Sequence, residues 1–139
     1  MAIRLAHTQK DVAAAFRVMR QLRPHLRLTD FEPRVQRLRS QGYHLIVHEI
    51  DGAVNAVAGF WIRESLAWGK HLYLDDLVTD ETVRSTGCGQ KIFDWLILHA
   101  KEHGCQELHF DSGVQRFGAH RFYLRNRMDI GAHHFSITL

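Results

Sequence analysis

The residues that most constrain this chain run from His71 to Leu96. The apolar run "HLYLDDLVT" leads into the glycine-bearing turn "RSTGCG", and that turn into "QKIFDWL". Ile92, Phe93, Leu96, Ile97 and Ala100 then share one helical face. A strand followed by a turn and a helix sends its next strand back parallel to the first, through a right-handed crossover. "ELHF" at 107–110 supplies that strand, and Gly104 ahead of it sits where helices commonly end. The segment therefore commits the chain to an α/β fold with a parallel strand pair. Its turn also points backbone N–H groups out of a helix N-terminus, which is where anions bind.

The remaining elements fall around this crossover. Thr8 and Asp11 form the frame of a capping box, and Val12, Ala15, Phe16, Met19 and Leu22 follow at helical spacing up to Pro24. Thr29 with Glu32 repeats the device for a second, short helix carrying Val35 and Leu38 and ended by Gly42. "YHLIVHEI" and "AVNAVAGFWI" read as antiparallel strands joined at Asp51-Gly52, a strong hairpin signal. After "ELHF", "RFGAHRFYLRNRM" predicts a helix, and "HHFSITL", with Phe135, Ile137 and Leu139 alternating, predicts a final strand.

With 139 residues, 45% of them hydrophobic, the chain has apolar material for one core and is expected to form a single domain over 1–139. No apolar run approaches the roughly 18 residues of a membrane span, and "MAIRLAHTQKD" lacks a secretory signal, so a cytoplasmic protein with no membrane partner is expected. Cys88 and Cys105 flank the predicted helix and lie some ~25 Å apart by helical rise, too far for a disulfide, so both are predicted to be free thiols. The net charge is +3 and is concentrated early: Arg4, Lys10, Arg17, Arg20, Arg23, Arg27, Arg34, Arg37 and Arg39 face only Asp11, Asp30 and Glu32. These arginines are not interleaved with stacking aromatics, so they read as a solvated helix face and nucleic acid is disfavoured as a partner.

Two common phosphate motifs fail on residues. A Walker loop needs lysine and then serine or threonine after its last glycine, where this chain has Gln90 and Lys91. A dinucleotide fingerprint needs a third glycine where Ile92 stands. Instead "RSTGCG", preceded by "LDDLVT" and followed farther on by "AHRFY", resembles the R/Q-x-x-G-x-G/A turn and A-x-x-F-Y helix of the GNAT superfamily of acetyl-coenzyme A dependent N-acetyltransferases. The element order matches over nearly the whole chain. The resemblance implies an α/β, single-domain, mixed but mostly antiparallel sheet flanked by helices, with a splayed parallel strand pair. It implies acetyl-CoA as cosubstrate, its pyrophosphate held by the backbone of Arg84, Ser85, Thr86, Gly87, Cys88, Gly89 and Gln90, and its pantetheine arm paired with Leu77, Val78 and Thr79.

Acetyl transfer to an amine requires a neutral nucleophile, stabilisation of the thioester oxyanion and a proton for the departing thiolate. Tyr123, the tyrosine of "AHRFY", matches the family's acid. Asp75 and Asp76 are the candidates for deprotonation, because adjacent carboxylates in an apolar strand are costly unless solvated or used. Strand alternation lets only one of them face a slot; the resemblance favours Asp75, and a bulge would shift the alternation. Cys88, although at a helix N-terminus, is read as a small residue tolerated in the turn, and no metal site is expected from His99 and His103. His120, His133 and His134 are candidates to line the acceptor pocket.

The chain departs from the family pattern at Ser85, a frequent glycine position, at Arg116, where asparagine often contacts the coenzyme, and at Arg127 and Met128, which replace a glycine and an aromatic. The expected activity is direct transfer of acetyl to a primary amine of a small molecule or protein, with a homodimer left open. The rivals are a CoA-binding regulatory module without turnover and an RNA-directed acetyltransferase toxin acting on charged tRNA.

Overall fold

The computed structural model describes residues 2–83 and 87–139, and the chain divides into two compact units, Met1–His109 and Phe110–Leu139. The first unit contains β1 (Ala2–Leu5), α1 (Gln9–Leu22), α2 (Leu28–Ser40), β2 (Tyr43–Ile50), β3 (Ala53–Ser65), β4 (Gly69–Thr79), a 3-10 turn (Glu81–Val83) and α3 (Cys88–Glu102). β5 (Glu107–Phe110) closes it, and the second unit carries α4 (Phe117–Arg125). The strands lie in the order β1-β2-β3-β4-β5; β1 to β4 are antiparallel neighbours and β5 is parallel to β4, as the crossover requires.

The sheet alternates between its two faces. Tyr43, Leu45, Val47, Val57 and Val78 turn toward α1 and α2, where they pack with Val12, Ala15, Met19, Phe31 and Val35 in one buried cluster. Each such side chain contributes about 1.5–3 kcal/mol by leaving water. Phe60 turns the other way, onto α3, and meets Trp95 and His99 edge to face at 6.4 and 5.5 Å.

Helix α1 starts as its sequence indicates, with the Thr8 hydroxyl accepting the Asp11 N–H at 3.0 Å. Helix α2 does not. It begins at Leu28 with Arg27 as its cap residue, which puts Thr29 inside the first turn and makes no threonine cap. That turn is held instead by an ion pair from Arg27 Nε to Asp30 Oδ2 at 2.9 Å, and Pro33 takes an interior position. Asp51 and Gly52 both have positive φ, 52° and 80°, as a two-residue hairpin turn demands. Cys88 and Cys105 are free thiols.

In the second unit the expected final strand is not formed. Residues 128–139 have no regular structure, and Phe135, Ile137 and Leu139 are exposed. Alternation marks a strand only where a sheet edge takes up its backbone bonds, and among the described residues none pairs with this segment. His134, expected to open that strand, instead approaches Asp111 at 3.2 Å.

Candidate active site

The ladder between β3 and β4 breaks at one place. Gly59 pairs with Asp76 and Phe60 with Leu74, so Asp75 is an extra residue, a bulge. The bulge interrupts the strand alternation, as the sequence reading allows, and brings both carboxylates to one face. Asp76 lies opposite Gly59 on the α1/α2 face, and Asp75 joins that face, its Oδ2 accepting the indole N–H of Trp61 at 2.6 Å.

The two carboxylates have different company. Asp76 is neutralised within the protein: Arg23 Nε donates to Oδ1 at 3.0 Å and the Tyr43 hydroxyl to Oδ2 at 2.8 Å. Tyr43 is buried, and desolvation with the Asp76 charge beside it holds its hydroxyl well above the usual phenol range. Asp75 is more exposed and has no guanidinium on its carboxylate; Arg23 Nη2 bonds its backbone oxygen at 3.0 Å. Its pKa is raised, first by desolvation and also by the neighbouring Asp76 charge, against the pull of the Trp61 bond. A carboxylate of raised pKa with an accessible oxygen is suited to accept a proton.

Gly59 makes this arrangement possible. A Cβ there would fall on the hydroxyl and ring of Tyr43, which crosses above the glycine to reach Asp76. Beside the pair a cavity of about 170 Å³ opens between α1, α2, β2 and β4, with Asp76, Tyr43, Arg23 and Arg34 among its lining residues. Arg23, Trp61, Tyr43 and Arg34 were not evident as site residues from sequence. Gly59 inside an apolar strand was the available signal, since such a glycine marks a bulge or a close approach.

Farther along β4, Leu77, Val78 and Thr79 pair with Ala58, Val57 and Ala56 on the β3 side. On the other side β5, four residues long, starts level with Lys70, where the Gln106 N–H bonds the Lys70 carbonyl at 2.8 Å. At the end of β4 the buried Asp80 is bound by the Thr82 N–H at 3.1 Å and by Arg17 at 2.7 Å, and these bonds hold its carboxyl far below the usual range. The strand's exit into the glycine turn is thereby fixed.

Arg84, Ser85 and Thr86 lie outside the described residues. After them Gly87 has φ 87° and caps α3, a conformation that favours glycine. The first bond inside the helix runs from the Lys91 N–H to the Gly87 carbonyl at 3.0 Å, and the first N–H groups of any α-helix have no carbonyl partner within it. Gly89 lies against Thr79, whose hydroxyl oxygen would be 3.3 Å from an added Cβ. A positively polarised helix end beside the last residue of β4 suits a diphosphate bound by main chain. Cys88 is buried there.

Tyr123 belongs to the second unit, on α4, buried and packed on Phe110 with ring centroids 4.2 Å apart. Desolvation raises its pKa, and the Arg116 guanidinium opposes that rise. His120 also lies in this unit, its Nε2 paired with the Gly113 carbonyl at 2.8 Å, and His133 is exposed. His120, His133 and His134 all belong to this second unit.

Four of the early arginines are paired with acids. Arg4 pairs with Asp11 and Glu49, Arg17 with Asp80, Arg23 with Asp76 and Arg27 with Asp30. Among the described residues no helix is long and apolar enough to cross a membrane.

A family model described as the Acetyltransferase (GNAT) family matches residues 8–127. An uncharacterised N-acetyltransferase of Bacillus subtilis (strain 168), YhdJ, is 33% identical over 120 residues, 84% of this chain and 82% of the relative. Glucosamine 6-phosphate N-acetyltransferase of Arabidopsis thaliana is 26% identical over 92 residues, 62% of either chain. The crystal structure of that enzyme superposes with a TM-score of 0.79 at 23% identity, over 99% of this chain and 97% of that one. The same fold is found in AAC(6')-Iy in complex with the bisubstrate analogue CoA-S-monomethyl-acetylneamine, with TM-score 0.84 and 13% identity over 99% of this chain and 97% of that one. With the glycine turn, the mixed sheet and a family match spanning all but its ends, the chain belongs to the GNAT family of acetyltransferases.

Proposed function

We propose that the protein transfers acetyl directly from acetyl-CoA to a primary amine within a ternary complex. The observation that carries this reading is the bulge at Asp75, which sets an accessible carboxylate of raised pKa beside one already neutralised by Arg23 and Tyr43. Acetyl-CoA supplies the activated acyl group, so the protein's part is to bind, orient and move protons. The N–H groups of Arg84 through Gln90 receive the pyrophosphate. The pantetheine arm would take backbone bonds from Leu77, Val78 and Thr79 on the side of β4 away from β3.

Asp75 takes the proton of the attacking ammonium, directly or through water, while Asp76 stays bound to Arg23 and Tyr43. Tyr123 gives a proton to the departing thiolate. Arg116 assists it, because a guanidinium next to the phenol favours the phenolate that transfer leaves behind.

The test follows thiol release from acetyl-CoA with a panel of primary amines. Asp75→Asn and Tyr123→Phe are each expected to lower kcat/KM about 10²-fold, and the melting temperature should rise at saturating acetyl-CoA. Turnover untouched by both substitutions would remove the assigned roles. Binding without turnover on any amine would make the protein a CoA-responsive module, and binding of charged tRNA that weakens steeply with salt would make it RNA-directed.

A further inference from the structure

We infer that the acceptor is a small molecule carrying, besides its amine, an anionic group, a carboxylate or a phosphate, and that Arg34 and His25 receive that anion. The inference rests on the transfer reading above and adds the chemistry of the acceptor.

The cavity beside Asp76 has polar groups of both signs around an apolar wall that includes Met19, Leu26, Phe31 and Leu38. Tyr43 and Asp76 are its more buried polar groups, while His25 and Arg34 are exposed and stand at its mouth. The two guanidinium groups in the lining are not equivalent. Arg23 is spent on the Asp76 carboxylate and the Asp75 carbonyl. Arg34 has no hydrogen bond or ion pair with any described residue, and neither has His25.

That solitude is built into α2. Asp30, four residues ahead of Arg34, is the acid that helical spacing would give it, but Arg27 holds Asp30 at 2.9 Å. Glu32, the other acid of the helix, accepts from Gln9 at 3.2 Å. A guanidinium is a planar donor fork suited to carboxylate and phosphate, and here it lines, from its exposed side, a cavity whose one carboxylate is Asp76. The layout matches a dipolar occupant, with its amine toward Asp76, the sequence neighbour of Asp75, its anion toward Arg34 and His25, and a short apolar body between. A purely cationic acceptor would meet Arg34 as a like charge, which disfavours a polyamine or a lysine in a basic peptide.

The test compares matched amines by thiol release: γ-aminobutyrate against γ-aminobutyramide, and O-phosphoethanolamine against ethanolamine. The wild-type protein is expected to favour the anionic member of a pair at least tenfold in kcat/KM. Arg34→Ala should bring that ratio near one through a higher KM, Arg34→Lys should restore part of it, and Arg34→Glu should invert it. Arg34 is exposed, so unchanged melting curves would confirm that the variants are folded. Equal use of the two members of both pairs, or a ratio indifferent to Arg34, would overturn this inference and leave the transfer reading standing. Thiol release from no amine would overturn the transfer reading itself, and this inference with it.

Discussion

Gly59 lacks a side chain because Tyr43 occupies the space where one would be. Tyr43 is buried and its hydroxyl is bound to Asp76, so it has nowhere to retreat without giving up that bond. Gly59→Ala is therefore expected to cost about 1–3 kcal/mol, the range for overpacking a filled site. It should also lower activity more than its stability loss accounts for, since Asp76 would keep Arg23 alone. Urea denaturation beside acetyl-transfer rates checks both. At this scale the sequence was informative about residue type and silent about company. Asp75 and Asp76 were visible as an anomaly in an apolar strand. Their orientation was not, because one inserted residue changes facing and leaves no compositional trace, and because Tyr43 and Arg23 reach Asp76 from 33 and 53 positions away.

Element boundaries were legible where a local signal had no competitor. Thr8 capped α1 as expected, but Thr29 lost to the ion pair between Arg27 and Asp30, which starts α2 earlier. The end of α4 shows a local rule broken. The Met128 N–H bonds the Tyr123 carbonyl at 3.2 Å and the Arg127 N–H bonds the Leu124 carbonyl at 3.0 Å, the closing pattern that sets its penultimate residue in the left-handed region. Arg127 fills that place with φ 63°, where α3 uses Gly104 with φ 75° for the same purpose. Arg127→Gly is expected to stabilise the protein by about 1 kcal/mol, the penalty of a Cβ in that conformation, read as a higher urea midpoint with unchanged slope. The last strand was misread because alternation specifies a face to bury and says nothing of whether a sheet edge is there to receive it.

Over the whole molecule, acid is the condition to which the fold is most exposed. Burial lowers the pKa of His44, His48 and His99; His44 also faces His103 and His7, His99 faces His103, His44 and the opposing Glu102, and His48 faces Lys91 and the N-terminus. His48 is wholly buried with neither ring nitrogen bonded. A base whose folded pKa is depressed binds its proton more readily when unfolded, so stability falls as pH drops below the unfolded value of about 6.5. Asp80, depressed by Thr82 and Arg17, adds a second loss as pH falls below the unfolded carboxylate value of about 3.9. Thermal melts should decline from pH 7 to pH 5 and again below pH 4. His44→Gln with His99→Gln should reduce the first decline to the share of His48 and leave the second. A fold class of this kind was legible because the crossover and glycine turn are local in sequence; the histidine cluster on Phe60 was not, because it joins β2 to α3 across half the chain.

The bulge has one more consequence. Without Asp75 the partners on either side, Gly59 with Asp76 and Phe60 with Leu74, already stand in regular register, and Leu74 and Asp76 already take opposite faces. Asp75 is thus a spare letter in the strand, one that the code for the sheet does not read. The apolar alternation that directs folding and the carboxylate assigned to chemistry occupy the same nine residues without sharing a position. Such a site can change its acid, or lose it, while the surrounding architecture is inherited intact.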